Sequence, residues 1–142
     1  MSLSESDTRA KLIDPALHLC GWTEDLIRRE ETEQGIDIVD STPQRRQRGR
    51  TDYLLRLRVN PNSQAMAIAL VEAKPEEDPP DKGLEQAKKY ARLNNVPYAY
   101  STNGHLYVEY DVLTGKTSRP RAIKNFPAPA DLRQRYEQSL NI

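Results

Sequence analysis

Apolar and polar positions alternate along this chain with periods that change several times. Near the start, Leu12, Ile13, Ala16, Leu17 and Cys20 recur at helical spacing, and Ser4-Glu5-Ser6-Asp7 before them fits a capping box, so the pattern predicts a helix to about Cys20. Pro15 falls inside that pattern and is expected to kink or divide the helix. Glu5, Arg9, Leu12 and Ala16 share one helical stripe, which would turn Glu5 inward; an acid in a first turn also suits the helix dipole, and the spacing leaves both readings open. Gly21-Trp22 ends the helix, with Trp22 expected over the core. His18 is read as a structural or surface residue. The charged run Arg28-Arg-Glu-Glu31 reads first as a solvated face, with Glu30 and Glu31 as weaker alternatives to Glu5 for an inward acid, and Gly35-Ile-Asp-Ile-Val39 as a short alternating strand.

Two apolar runs follow, from Asp52 to Val59 and from Ala65 to Lys74, joined by the turn-forming Asn60-Pro-Asn-Ser-Gln64. They predict a β-hairpin. Each carries an acid where a buried strand should be apolar: Asp52 opens the first strand and Glu72 ends the second. In an antiparallel hairpin those ends adjoin, so the two carboxylates should be neighbours. Lys74, two residues after Glu72, points to the same face. Two carboxylates and an ammonium at one sheet edge outline a metal and phosphate site; an ordinary strand-end ion cluster is the alternative.

Downstream, a Pro-rich loop leads to a helix over roughly 81–94, with Leu84, Ala87 and Ala91 as its buried stripe. Gln86 and Tyr90, four residues apart, share a face. Val96 to Thr102 and His105 to Asp111 read as strands joined by Asn103-Gly104, and His105 as an edge-strand residue. Prolines at 120, 127 and 129 suggest that residues 126–142 form an exit linker with a short polar or frayed helix, separate from a domain spanning 1–125.

Composition adds limits. A chain of 142 residues, 37% hydrophobic and 30% charged, suits one polar-surfaced domain with a real core. Its net charge of zero gives no global attraction to nucleic acid, so any such contact must be local. The most basic stretch, with Arg45, Arg46, Arg48 and Arg50, leads directly into Asp52; it is either a DNA-backbone contact or a solvated loop. A single cysteine excludes an internal disulfide and, with no signal peptide or long apolar run, points to the cytoplasm. The sequence contains no P-loop motif.

Asp52 followed by Glu72-Ala73-Lys74 resembles the PD-(D/E)xK nuclease superfamily. Within it, the ordered set Gly49-Arg-Thr-Asp52-Tyr, Val71-Glu-Ala-Lys74, Gln86-Ala-Lys-Lys-Tyr90 and Ser101-Thr-Asn-Gly104 is similar to the N-terminal nuclease domain of type I restriction enzyme R subunits. The resemblance implies an α/β restriction-endonuclease-like fold, with a mixed central sheet flanked by helices and an αβββαβ core. It implies an endodeoxyribonuclease using Mg²⁺, with Mn²⁺ substituting, held by Asp52, Glu72, the Ala73 carbonyl and Glu5. Lys74 would act on the attacking water, while Gln86 and Tyr90 would orient site groups or touch the DNA backbone. Partners would be double-stranded DNA and separate modification and specificity subunits, with ATP used only by motor domains elsewhere in a longer chain. Two other functions suit the same residues: a non-catalytic DNA-docking or assembly module, and a nuclease for RNA or repair intermediates.

Overall fold

A computed structural model describes residues 2–29, 36–39, 42–45, 51–58, 60 and 62–140, with the backbone alone for 36–39 and 42–45. The first helix is continuous but changes gauge: α1 (Glu5–Thr8) runs through a π-helical segment (Arg9–Ile13) into α2 (Asp14–Leu19). Ser4 caps it by accepting the Asp7 N–H. The wide segment, in which the Asp14 N–H reaches back to the Arg9 carbonyl, lies just ahead of Pro15. Pro15 then occupies the first turn of α2, where its missing N–H costs little and its ring meets no closed α-turn. Trp22 is fully buried and donates to the Pro127 carbonyl at 2.8 Å.

Seven strands form the main sheet among the described residues. The expected hairpin is present as β4 (Tyr53–Leu57) and β5 (Met66–Ala73), in register Tyr53 to Val71 with a bulge at Leu55/Arg56. From β5 the chain crosses through α3 (Leu84–Asn94) to β6 (Tyr98–Thr102), which runs parallel to β5 and antiparallel to β7 (Leu106–Asp111). Short strands β8 (Lys116–Thr117) and β9 (Arg121–Ala122) both pair with β7. The sheet is therefore mixed and covered by helices, as the family resemblance implied. Two apolar clusters bury its faces. One gathers Ile13, Leu17, Trp22, Phe126 and Leu132 against the sheet, and the other packs Leu84, Ala87 and Ala91 of α3 on Leu70 and Ala99. Among the described residues no helix is long and apolar enough to cross a membrane.

Four local expectations change. The strand beside β4 is β1 (Ile27–Arg29), which overlaps the run from Arg28 read as a charged face; only its Ile27 is buried, as suits a sheet edge. The alternating stretch after Gly35 supplies β2 (Ile36–Val39), which pairs with β3 (Thr42–Arg45) in a separate two-stranded sheet, so the basic segment begins as a strand. The β6–β7 turn centres on Gly104-His105, one residue later than expected: Asn103 Oδ1 accepts the N–H groups of His105 and Leu106, and Gly104 takes φ +91°. Finally, the tail read as a linker folds back. Phe126 lies 4.6 Å from the Tyr100 ring, Leu132 of α4 (Pro129–Leu140) is fully buried, and Arg135 makes two 2.8 Å bonds to Glu109.

Candidate active site

The hairpin register places Asp52 and Glu72 side by side, one step beyond the Tyr53–Val71 pair. Thr51 fixes this corner, its hydroxyl donating within reach of the carbonyls of Val71 (3.0 Å) and Tyr53 (3.1 Å). Asp52 Oδ2 accepts the Ala73 N–H at 2.7 Å. A strand residue directs its N–H and C=O to the same side, so the Ala73 carbonyl faces the Asp52 edge as well.

Glu72 is 4% exposed and its Oε1 has no hydrogen-bond partner, although most buried carboxylate oxygens have one. Burial, followed by the charge of Asp52, raises its pKa to about 9 against the opposing pull of Lys74. Lys74 shares this face, and its stem passes the Gly83 backbone at the start of α3. Burial and Asp52 also raise the Glu5 carboxyl, opposed by Arg9 and Lys74, so Glu5 lies within electrostatic reach of the cluster. Gln86 and Tyr90 share a face of α3 and bond to each other, Nε2 to Oη, at 2.7 Å. Arg46, Arg48 and Arg50 lie outside the described residues, as do Glu30, Glu31 and the side chain of Arg45.

Three contributors were given no site role from the sequence. Arg9 Nη1 holds Asp52 Oδ1 at 2.7 Å; its place four residues after Glu5 on the same helical stripe was the available signal. Ser101, a hydroxyl within a fully buried strand and paired in register with Glu72, accepts the Gly83 N–H at 2.9 Å. Gly83 itself gave no sequence signal, because its role is to let the backbone pass close to Glu72 and Lys74.

No three His, Cys, Asp or Glu side chains among the described residues form a cage for a metal ion. The donor set nevertheless fits Mg²⁺, which binds through one or two carboxylates and takes its other ligands from water and phosphate. The unpartnered Oε1 of Glu72, beside Asp52, is the kind of hard oxygen such an ion requires.

A mixed sheet whose central hairpin carries its acids at one end of the strands, crossing by a helix to a parallel strand, is a restriction-endonuclease-like fold. Over nearly all of its length the chain is similar to a segment of type I restriction enzyme endonuclease subunits. It is 28% identical over 141 residues to the endonuclease subunit of the type I restriction enzyme EcoAI from Escherichia coli, a match covering 95% of this chain. A solved fragment assigned as an HsdR subunit of a type I restriction enzyme from Vibrio vulnificus YJ016 is 35% identical, with a TM-score of 0.78 across all of this chain. The chain spans 17% of the Escherichia coli subunit and 27% of the Vibrio fragment. No protein-family profile matches it.

Proposed function

We propose that this chain is the nuclease domain of a type I restriction enzyme R subunit, hydrolysing phosphodiester bonds of double-stranded DNA with Mg²⁺. The observation that carries the reading is the pairing of Glu72, buried with an unpartnered oxygen, with Asp52 at one end of the β4–β5 hairpin, on the face that also carries Lys74. Asp52, Glu72 and the Ala73 carbonyl would hold the ion, with Glu5 as a further acid. When bound, the ion polarises the scissile phosphate and makes a coordinated water more acidic.

The remaining work falls to the chain's own groups. The Ala73 N–H fixes the orientation of Asp52, and the burial of Glu72 keeps bulk water from most of its side chain. The Lys74 ammonium holds the attacking water and offsets the negative charge that grows on phosphorus. Gln86 and Tyr90, already joined, present an amide and a phenol for contact with the DNA backbone. Arg45, Arg46, Arg48 and Arg50 would add phosphate contacts just before Asp52 in the chain. In the longer protein, modification and specificity subunits would direct the nuclease, and ATP would serve motor domains outside this chain.

Calorimetric titration of Mg²⁺ or Mn²⁺ into the wild type, Asp52→Ala and Glu72→Ala tests the metal centre without requiring partner subunits. Binding should vanish in both variants. DNA nicking should be lost in Lys74→Ala while metal binding remains. Equal binding in all three proteins would overturn the reading and favour a docking module.

A further inference from the structure

Arg9 occupies one oxygen of the very carboxylate that the proposed metal requires. Its Nη1 is 2.7 Å from Asp52 Oδ1, with the two side chains 27% and 17% exposed, while the Ala73 N–H takes Oδ2. Both oxygens of Asp52 are therefore engaged within the protein. A guanidinium bonded to Oδ1 and a divalent ion on the same carboxylate would be only a few ångströms apart, close enough in this partly desolvated corner for like charges to exclude one another.

We propose that Arg9 is an exchangeable counter-cation for Asp52: it holds the carboxylate in place without metal and gives up Oδ1 when a divalent ion binds. The surroundings suit such an exchange. The Arg9 backbone is fixed, since its carbonyl accepts the Asp14 N–H in the wide π turn. The Tyr53 hydroxyl, from the residue next to Asp52, ties the same region by donating to Asp14 Oδ1 at 2.7 Å. The long Arg9 side chain can therefore leave Oδ1 without moving the helix. The π segment thus has a use beyond accommodating Pro15, consistent with the frequent placement of such segments at functional sites.

This inference rests on the metal reading above. It makes Arg9 a positioning residue that opposes metal binding, whereas a merely structural Arg9 would support it. The test is calorimetric titration of Mn²⁺ into the wild type, Arg9→Gln, Arg9→Met and Arg29→Gln. Arg29 serves as the charge control because it pairs with Asp14 and Glu24. The Arg9 variants should bind Mn²⁺ about fivefold more tightly than the wild type, the scale of a partly exposed ion pair, and Arg29→Gln should bind as the wild type does. Thermal unfolding should show each Arg9 variant folded and stabilised more by Mn²⁺ than the wild type is. Unchanged or weaker affinity in the Arg9 variants, with binding still abolished by Asp52→Ala, overturns this inference alone. An equal gain in Arg29→Gln also overturns it, by reducing the effect to general charge. Absence of Mn²⁺ binding in every protein overturns both this inference and the metal reading.

Discussion

The Gly83 N–H donates to the Ser101 hydroxyl at 2.9 Å, joining the start of α3 to the strand that pairs with Glu72. A larger residue at position 83 would be crowded: a Cβ there would lie 3.0 Å from Lys74 Cε, 3.1 Å from Glu72 Cβ and 3.1 Å from Ser101 Oγ. Gly83 thus sets how closely the helix backs onto the proposed catalytic pair.

Gly83→Ala should displace Lys74 and Glu72 by a few tenths of an ångström and destabilise the domain by about 1 kcal/mol. DNA-nicking activity should fall further than that stability loss accounts for. Ser101→Ala should cost about 1–2 kcal/mol, because it leaves a buried N–H unpaired. Urea unfolding together with a nicking assay on each variant checks both effects.

Glu72 makes the metal-free protein sensitive to pH in a defined direction. Its folded pKa, raised to about 9 by burial and then by Asp52, exceeds the ordinary value of 4.5. Between those values the folded state keeps a proton that the unfolded state has lost. The associated stability is complete below pH 4.5 and is lost as pH rises toward about 9. Glu72→Gln should flatten the stability profile across this interval, as read from urea midpoints at pH 6 and pH 9. Metal binding by the wild type in the same interval should release a proton, visible as a dependence of the calorimetric heat on buffer ionisation.

Arg135 clamps α4 to the sheet through its paired 2.8 Å bonds to Glu109, which also accepts the Tyr100 hydroxyl at 2.5 Å. Burial raises the Glu109 carboxyl, but the bonds from Arg135 and Tyr100 outweigh it and hold the group below the usual range. Arg135 is 38% exposed and Glu109 13%. Arg135→Ala should therefore cost about 2 kcal/mol, between the values for surface and buried pairs. Tyr100→Phe should cost about 1 kcal/mol. Denaturant unfolding of the two variants measures both.

The segment after residue 125 packs into the core. Phe126 packs against Tyr100 and Tyr107, and Leu132 is fully buried in the same cluster. Phe126→Ala should destabilise the domain by about 3 kcal/mol, and Leu132→Ala by about 2–4 kcal/mol. A protein ending at Asn125 should lose cooperative thermal unfolding. A cooperative transition in that truncated protein, near the wild-type temperature, would refute the assignment of the tail to the core.

The helix cap at Ser4, the β4–β5 hairpin and the α3 stripe were legible in the sequence because each depends on local periodicity or turn chemistry. The pairing of Asp52 with Glu72 was legible for the same reason: hairpin register follows from the two strands and the turn between them. Tertiary structure decided what local pattern could not. It selected Ile27–Arg29 over the more regular Ile36–Val39 as the neighbour of β4; an edge strand needs only one buried face, and Ile27 supplies it. It drew Phe126 and Leu132 into the core against the local signal of the prolines, because the apolar face around Trp22 and Tyr100 required covering. It also brought Arg9, through a helix turn widened ahead of Pro15, onto a carboxylate 43 residues away in the chain. No spacing rule in a single sequence encodes a contact of that kind, since it depends on how two separately formed elements pack.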